Sequence, residues 1–197
     1  MIAKLSRCNH KIGETTNINL NPYYVCQKMK CLKEGCYALK SFRQYPPVRE
    51  NWINNFEAFS MSPHLYFLDI SNCMQRSHKK FFRWHSAGEI VNQEYLDGMF
   101  RVALENPGVK FLCFTKKYYL DYSLQPANFE KVFSSWPTMQ IPLRILDKEY
   151  IAWQEDGNDP RIAKFGKNPF ICPGKCEKCR RCWNLSKVGR DVIFHKH

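Results

Sequence analysis

Between residues 172 and 182 the chain sets four cysteines in eleven positions, CPGKCEKCRRC, with lysine and arginine scattered between them. The N-terminal run MIAKLSRCNHK is basic but lacks the apolar stretch of a signal peptide, so a reducing, cytoplasmic setting is expected. In such a setting ten cysteines point to metal before disulfides. The spacing is Cys172-x3-Cys176-x2-Cys179-x2-Cys182. A structural zinc site draws two ligands from each of two separated loops, and eleven residues leave little chain for both. A single segment can wrap a [4Fe–4S] cluster, as C-x2-C-x2-C runs do with a proline near the last cysteine. Here the longer gap comes first and Pro173 follows Cys172. Both the cluster and zinc stay open.

A second group, CQKMKCLKEGC, spaces Cys26, Cys31 and Cys36 with four residues in each gap. Three thiols suit a site that keeps one position vacant. On a [4Fe–4S] cluster the fourth iron is then free to take a small ligand. A structural site completed by Cys8 or His10, or incidental spacing, would explain the same pattern.

The rest of the chain has room for a core. Of 197 residues, 44% are hydrophobic and 15% aromatic, which argues for a folded domain rather than disorder. No apolar run reaches the roughly 20 residues that a membrane helix needs. The net charge of +12 favours a polyanionic partner such as nucleic acid or a nucleotide. Ten Lys and Arg against two acids fall between Arg161 and His197. A solvated basic face is the plain alternative.

Strand and helix signals alternate. TTNINL (15–20), KFFRWH (80–85) and VKFLCFT (109–115) read as strands, and DVIFHKH as a last short one. Helices are expected after Cys36, over 48–59, from Ser62-Pro63 onward, and over 92–105 with Tyr95, Leu96, Met99, Phe100 and Ala103 on the apolar face. KKYYLDYSL and NFEKVFSSW read as helical, and MQIPLRIL (139–146) as β-prone but weakened by Pro142. This rhythm predicts an α/β fold with a mainly parallel sheet, open or as a partial (β/α) barrel. Residues 1–160 would form the α/β domain, and 161–197 a basic, Cys-rich metal-binding segment packed on it. Ligands of such sheets gather at the C-terminal strand ends.

RWHSAGEI (83–90) lies at one such end. Small Ser86, Ala87 and Gly88 would let a ligand approach the backbone, and Glu89 could accept from a cationic amine. Alternatively Ser86 and Glu89 form an S-x-x-E capping box, although Asn92 is also available as a cap. His85 could donate a proton or simply end a strand. Cys73 and Cys113 fall in apolar patterns and read as core residues. The pattern leaves the order of His195 and His197 open.

NHKIG (9–13), CYA (36–38), RWHSAGE (83–89), NPGVKFLCFTK (106–116) and CPGKCEKCRRCW…VIFHKH together resemble a bacteriophage and plasmid family named after gene product eighty-eight. That resemblance names relatives, and a phage-infected or plasmid-bearing host, rather than a reaction. Two elements also look like radical S-adenosylmethionine (SAM) enzymes, which hold a cluster on three cysteines after the first strand and bind the SAM amino group with G-G-E after the second. The matching residues are Cys26, Cys31 and Cys36 with Tyr37 beside them, and Ala87-Gly88-Glu89. The x4/x4 spacing and Ala87 depart from that family's pattern, while the order along the chain agrees. This resemblance implies a SAM-cleaving enzyme with one or two [4Fe–4S] clusters, an electron donor, and Ser86 through Glu89 and Tyr37 around SAM. The competing reading is a non-catalytic module, braced by zinc or a cluster, that grips nucleic acid with Trp183, Tyr118, Tyr119 and Phe194 for stacking.

Overall fold

The computed structural model describes residues 3–6, 11–154 and 158–195; Cys8, His10 and His197 therefore lie outside the described residues. Among those residues seven strands form one sheet: β1 (Thr16–Ile18), β2 (Phe81–Trp84), β3 (Lys110–Thr115), β4 (Phe129–Ser134), β5 (Ile151–Trp153), β6 (Phe170–Ile171) and β7 (Val192–Ile193). Their order is β1-β2-β3-β4-β5-β7-β6, every neighbouring pair is parallel, and the sheet does not close. The expected α/β fold with a parallel sheet is what the chain adopts. The sheet order climbs steadily from β1 to β5, so successive crossovers step in one direction.

Ten helices fill the connections between described strands. They are α1 (Pro22–Val25), α2 (Lys30–Glu34), α3 (Tyr37–Gln44), α4 (Pro46–Met61), α5 (Pro63–Ser77), α6 (Gln93–Glu105), α7 (Leu143–Lys148), α8 (Arg161–Phe165), α9 (Cys176–Cys179) and α10 (Leu185–Val188). Prolines at the first helical positions start α4 and α5, where a missing N–H costs nothing. Asn92 caps α6 by accepting from the Tyr95 amide at 2.9 Å, and the apolar face read from the sequence is buried throughout.

Strand alternation divides the core in two. Phe82 and Trp84 of β2, with Phe111 and Cys113 of β3, pack beneath α4, α5 and α6. The intervening Phe81, Leu112 and Phe114 face the other way, against Phe170, Cys172, Trp183, Leu185 and Phe194. The Cys-rich segment thus covers the sheet face that the long helices leave open. It also reaches back to the start of the chain. Cys176 donates its amide to the Lys11 carbonyl at 2.8 Å, and Arg180 donates to Thr15 Oγ1 at 2.7 Å.

Two sequence expectations fail. NFEKVFSSW forms β4 rather than a helix, because Phe129, Val132 and Phe133 are buried and the strand is paired on both edges. The crossover before it, residues 116–128, carries no helix and is held by its tyrosines. Tyr118 donates its hydroxyl to the Ser134 carbonyl at 2.6 Å, and Tyr122 to that of Lys117 at 2.9 Å. MQIPLRIL does not form a strand either. Pro142 takes the cap position of α7, and Ile145 and Leu146 bury against Tyr118, Phe133 and Trp153. β5 and β6 are short strands that the sequence pattern did not suggest. Cys113 is a core residue as expected, whereas Cys73 on α5 is only half-buried.

Candidate functional site

The chain leaving β1 winds through three short helices, and each delivers one early thiol. Cys26 ends α1, Cys31 sits in the first turn of α2, and Cys36 immediately precedes α3. Gly35, with φ +126°, breaks α2 and turns the backbone so that Cys36 faces back. All three cysteines line one cavity of about 450 Å³, together with Tyr37, Ser86, Ala87, Gly88 and Glu89. The eight residues singled out here in the sequence therefore share one wall system, at the C-terminal edge of the sheet. The volume lies within the range of small-molecule pockets.

The loop after β2 is built against the loop after β1. Ala87 donates its amide to Asn19 Oδ1 at 2.9 Å, Leu20 donates to the Ala87 carbonyl at 3.2 Å, and Tyr37 donates its hydroxyl to the Ser86 carbonyl in a short contact. Gly88 has φ +92°, and a Cβ there would meet the Leu20 carbonyl oxygen at 2.8 Å. Packing of this loop against the one after β1 therefore requires a glycine here, whatever the cavity holds. The capping-box alternative fails too, since residues 86–92 are not helical and Asn92 does the capping.

Glu89 is buried and firmly held. Its Oε1 accepts from Thr115 Oγ1 at 2.7 Å and from the Ile90 amide at 2.8 Å, while Oε2 accepts from the Lys116 amide at 2.8 Å. An ionised carboxylate has about four acceptor positions, so one more donor can be taken. Thr115 ends β3 and Lys116 follows it; both fall within NPGVKFLCFTK, but neither was given a role at the site from the sequence. Asn19 was missed likewise, though the alternation of Asn17, Asn19 and Asn21 is visible in TNINLN. At the rim, Glu34 accepts from Trp136 Nε1 at 2.5 Å and from Thr138 Oγ1 at 2.6 Å, tying α2 to the loop after β4.

His85 is buried with φ +50°, and burial pushes its imidazole pKa down to about 3. Its Nε2 lies 3.1 Å from the Tyr95 hydroxyl, itself 2.9 Å from that of Tyr66. Burial thus favours the neutral ring over the imidazolium. His195 lines the cavity as well.

The late cysteines surround a far smaller void. Cys172, Cys176, Cys179 and Cys182 line a space of about 20 Å³, room for one water-sized guest. Arg83, Phe114 and Phe194 line both spaces, so the two cysteine sets share a wall. Burial raises the thiol pKa of Cys26, Cys31 and Cys176, and pushes Cys182 up to about 12. Buried thiols hold their protons until a metal displaces them. Among the described residues, no three His, Cys, Asp or Glu side chains gather closely enough to hold one ion. At the early set the three cysteines share the lining of one cavity.

The stacking platform of the binding-module reading is mostly absent. Trp183, Tyr118 and Phe194 are buried, and of those four aromatics only Tyr119 is exposed. Arg180 lies over Phe81 and Trp183, and Arg181 and Arg190 over Phe170, so part of the basic surplus serves as cover for aromatic faces. No described helix is long and apolar enough to cross a membrane.

Comparison with curated proteins and with solved structures gives no match to either. A family model described as Gene product 88 matches residues 3–185, nearly the whole chain, and the protein belongs to that family.

Proposed function

We propose that this protein is an iron–sulfur enzyme of radical SAM type, which binds S-adenosylmethionine in the larger cavity and cleaves it to act on a further, unidentified substrate. One observation carries the reading: three thiols, an adjacent aromatic and a small-small-acid loop, far apart in sequence, line a single cavity at the C-terminal edge of a parallel sheet. Cys26, Cys31 and Cys36 would hold a [4Fe–4S] cluster with one iron open. When bound, such a cluster supplies one-electron reduction of a sulfonium carbon–sulfur bond, and an external electron donor is implied.

The chain's own residues have separate tasks. Glu89, fixed by Thr115, Ile90 and Lys116, offers its remaining acceptor position to a cationic amine. Tyr37 anchors the loop through the Ser86 carbonyl and keeps Ala87 and Gly88 in position. Phe114, Phe194 and Trp136 add aromatic surface to the cavity lining. Cys172, Cys176, Cys179 and Cys182 would hold a second cluster or zinc, bracing the opposite sheet face.

The decisive experiment is anaerobic isolation followed by iron, sulfide and zinc analysis, then incubation with dithionite and SAM. Iron, sulfide and release of 5′-deoxyadenosine are expected. Cys31→Ala should abolish that release while leaving the late set's metal in place. Colourless protein with zinc alone, or SAM cleavage that survives Cys31→Ala, would overturn the reading.

A further inference from the structure

Three residues at and just beyond the end of β2 share an unusual property. Arg83 Nε, His85 Nδ1 and Ser86 Oγ are buried and have no hydrogen-bond partner among the described residues. All three residues line the larger cavity. The other buried atom in this condition near them, Trp84 Nε1, belongs to the helical core on the opposite face and does not share that cavity. Leaving a buried donor unpaired is costly, and three so close together are rare unless something from outside the chain completes them.

Their polarity can be worked out. The guanidinium Nε–H of Arg83 can only donate. For His85, the two tyrosines decide. If Tyr66 donates to Tyr95, and Tyr95 to His85 Nε2, both hydroxyl hydrogens are used and Nδ1 carries the imidazole hydrogen. The reverse direction strands the Tyr66 hydrogen in the core. The burial that keeps this ring neutral agrees with a fixed donor. Ser86 adds a hydroxyl that can turn to donate. Arg83 also lies against the Phe114 ring, 5.0 Å from its centroid, which fixes the guanidinium on the cavity wall. Lys11 and Lys116 line the same cavity, as do Glu34 and Glu89.

We propose that Arg83, His85 and Ser86 form an oxyanion-binding subsite, which takes a carboxylate or phosphate group of a molecule seated in the cavity. This rests on reading the cavity as a ligand site, but not on its holding a cluster. The group belongs either to SAM itself, through its carboxylate, or to a phosphate-bearing substrate.

The test is calorimetric titration of the full chain as isolated, at constant ionic strength, with inorganic pyrophosphate, SAM and decarboxylated SAM. Arg83→Gln should weaken the favoured probe by about tenfold or more, and Ser86→Ala by roughly threefold, in line with charged and neutral hydrogen bonds. Ser86→Ala is small enough to keep the fold, and unchanged thermal melting would verify it. A SAM affinity that drops on decarboxylation, with that drop absent in Arg83→Gln, assigns the subsite to the cofactor's carboxylate. Pyrophosphate binding sensitive to both variants assigns it to a phosphate. If all three probes bind both variants as they bind the parent, or none binds the parent, the subsite does not exist. If Arg83→Gln instead changes only the metal content of the late cysteines, Arg83 is their counter-charge and the proposal falls. Loss of SAM cleavage in Cys31→Ala with oxyanion binding intact would separate the fate of this subsite from that of the cluster.

Discussion

The two cysteine sets stand on either side of one wall and are built differently. The early thiols come from the ends or first turn of three separate helices and line a cavity of about 450 Å³, whereas the late four share one short segment around about 20 Å³. The first arrangement leaves space beside the sulfurs for a guest. The second leaves room for one water-sized guest and packs Cys172 and Trp183 against the sheet. On the proposed function, chemistry would fall to the first group and bracing to the second, and loop architecture, not thiol count, distinguishes them.

A pair of substitutions would break that division most sharply. Cys31→Ala is expected to empty the early set with little change in melting, since Cys31 is only half-buried. Cys179→Ala is expected to spare SAM binding but lower stability by several kcal/mol, on the order of 10 °C, if a bound metal braces the segment. Metal analysis and thermal melts on both variants would decide, and the opposite assignment of effects would reverse the roles.

Acid should act from the early side. His85 titrates near pH 3 in the fold against 6.5 when exposed, so the unfolded chain binds more protons between those values. Stability is full above pH 6.5 and is lost as pH falls, by about 1.4 kcal/mol per pH unit from this group. Urea midpoints from pH 7 to pH 4 should fall less steeply in His85→Gln. An equal slope would mean that the ring is not buried as described.

Gly88→Ala comes next. The left-handed backbone and the Leu20 carbonyl should together cost about 1–3 kcal/mol. Because both loops line the larger cavity, early-set metal content should fall while late-set metal holds. The smallest effect is expected from Asn92→Ala, which removes the α6 cap at about 1 kcal/mol and should alter neither metal content. If it drains the early set, that set merely follows global stability, and the contrast between the two disappears.

The sequence made much of this frame legible. β1, β2, β3, α4, α5 and α6 follow from periodicity and proline or asparagine signals, because each is governed by local chemistry. β4 and α7 were misread for the opposite reason. Glu130 and Lys131 in β4 have ordinary helix propensity, and only pairing on both edges makes the segment a strand. The site residues were legible as types at suggestive spacings. Their convergence was not, since it depends on which strands neighbour one another. Arg83 went unnoticed inside a strand run, where a charge reads as a solvent-facing position until the opposite sheet face is known to be covered.

That cover has a temporal consequence. Thr15 is bonded to Arg180, 165 positions later, and Phe194 closes the cavity that Cys26 begins. On the ribosome the early thiols emerge long before the residues that shelter them. The wall that Phe194 adds beside Cys26 can form only once the last stretch of the chain has been made, a long-range contact of the kind that folds slowly.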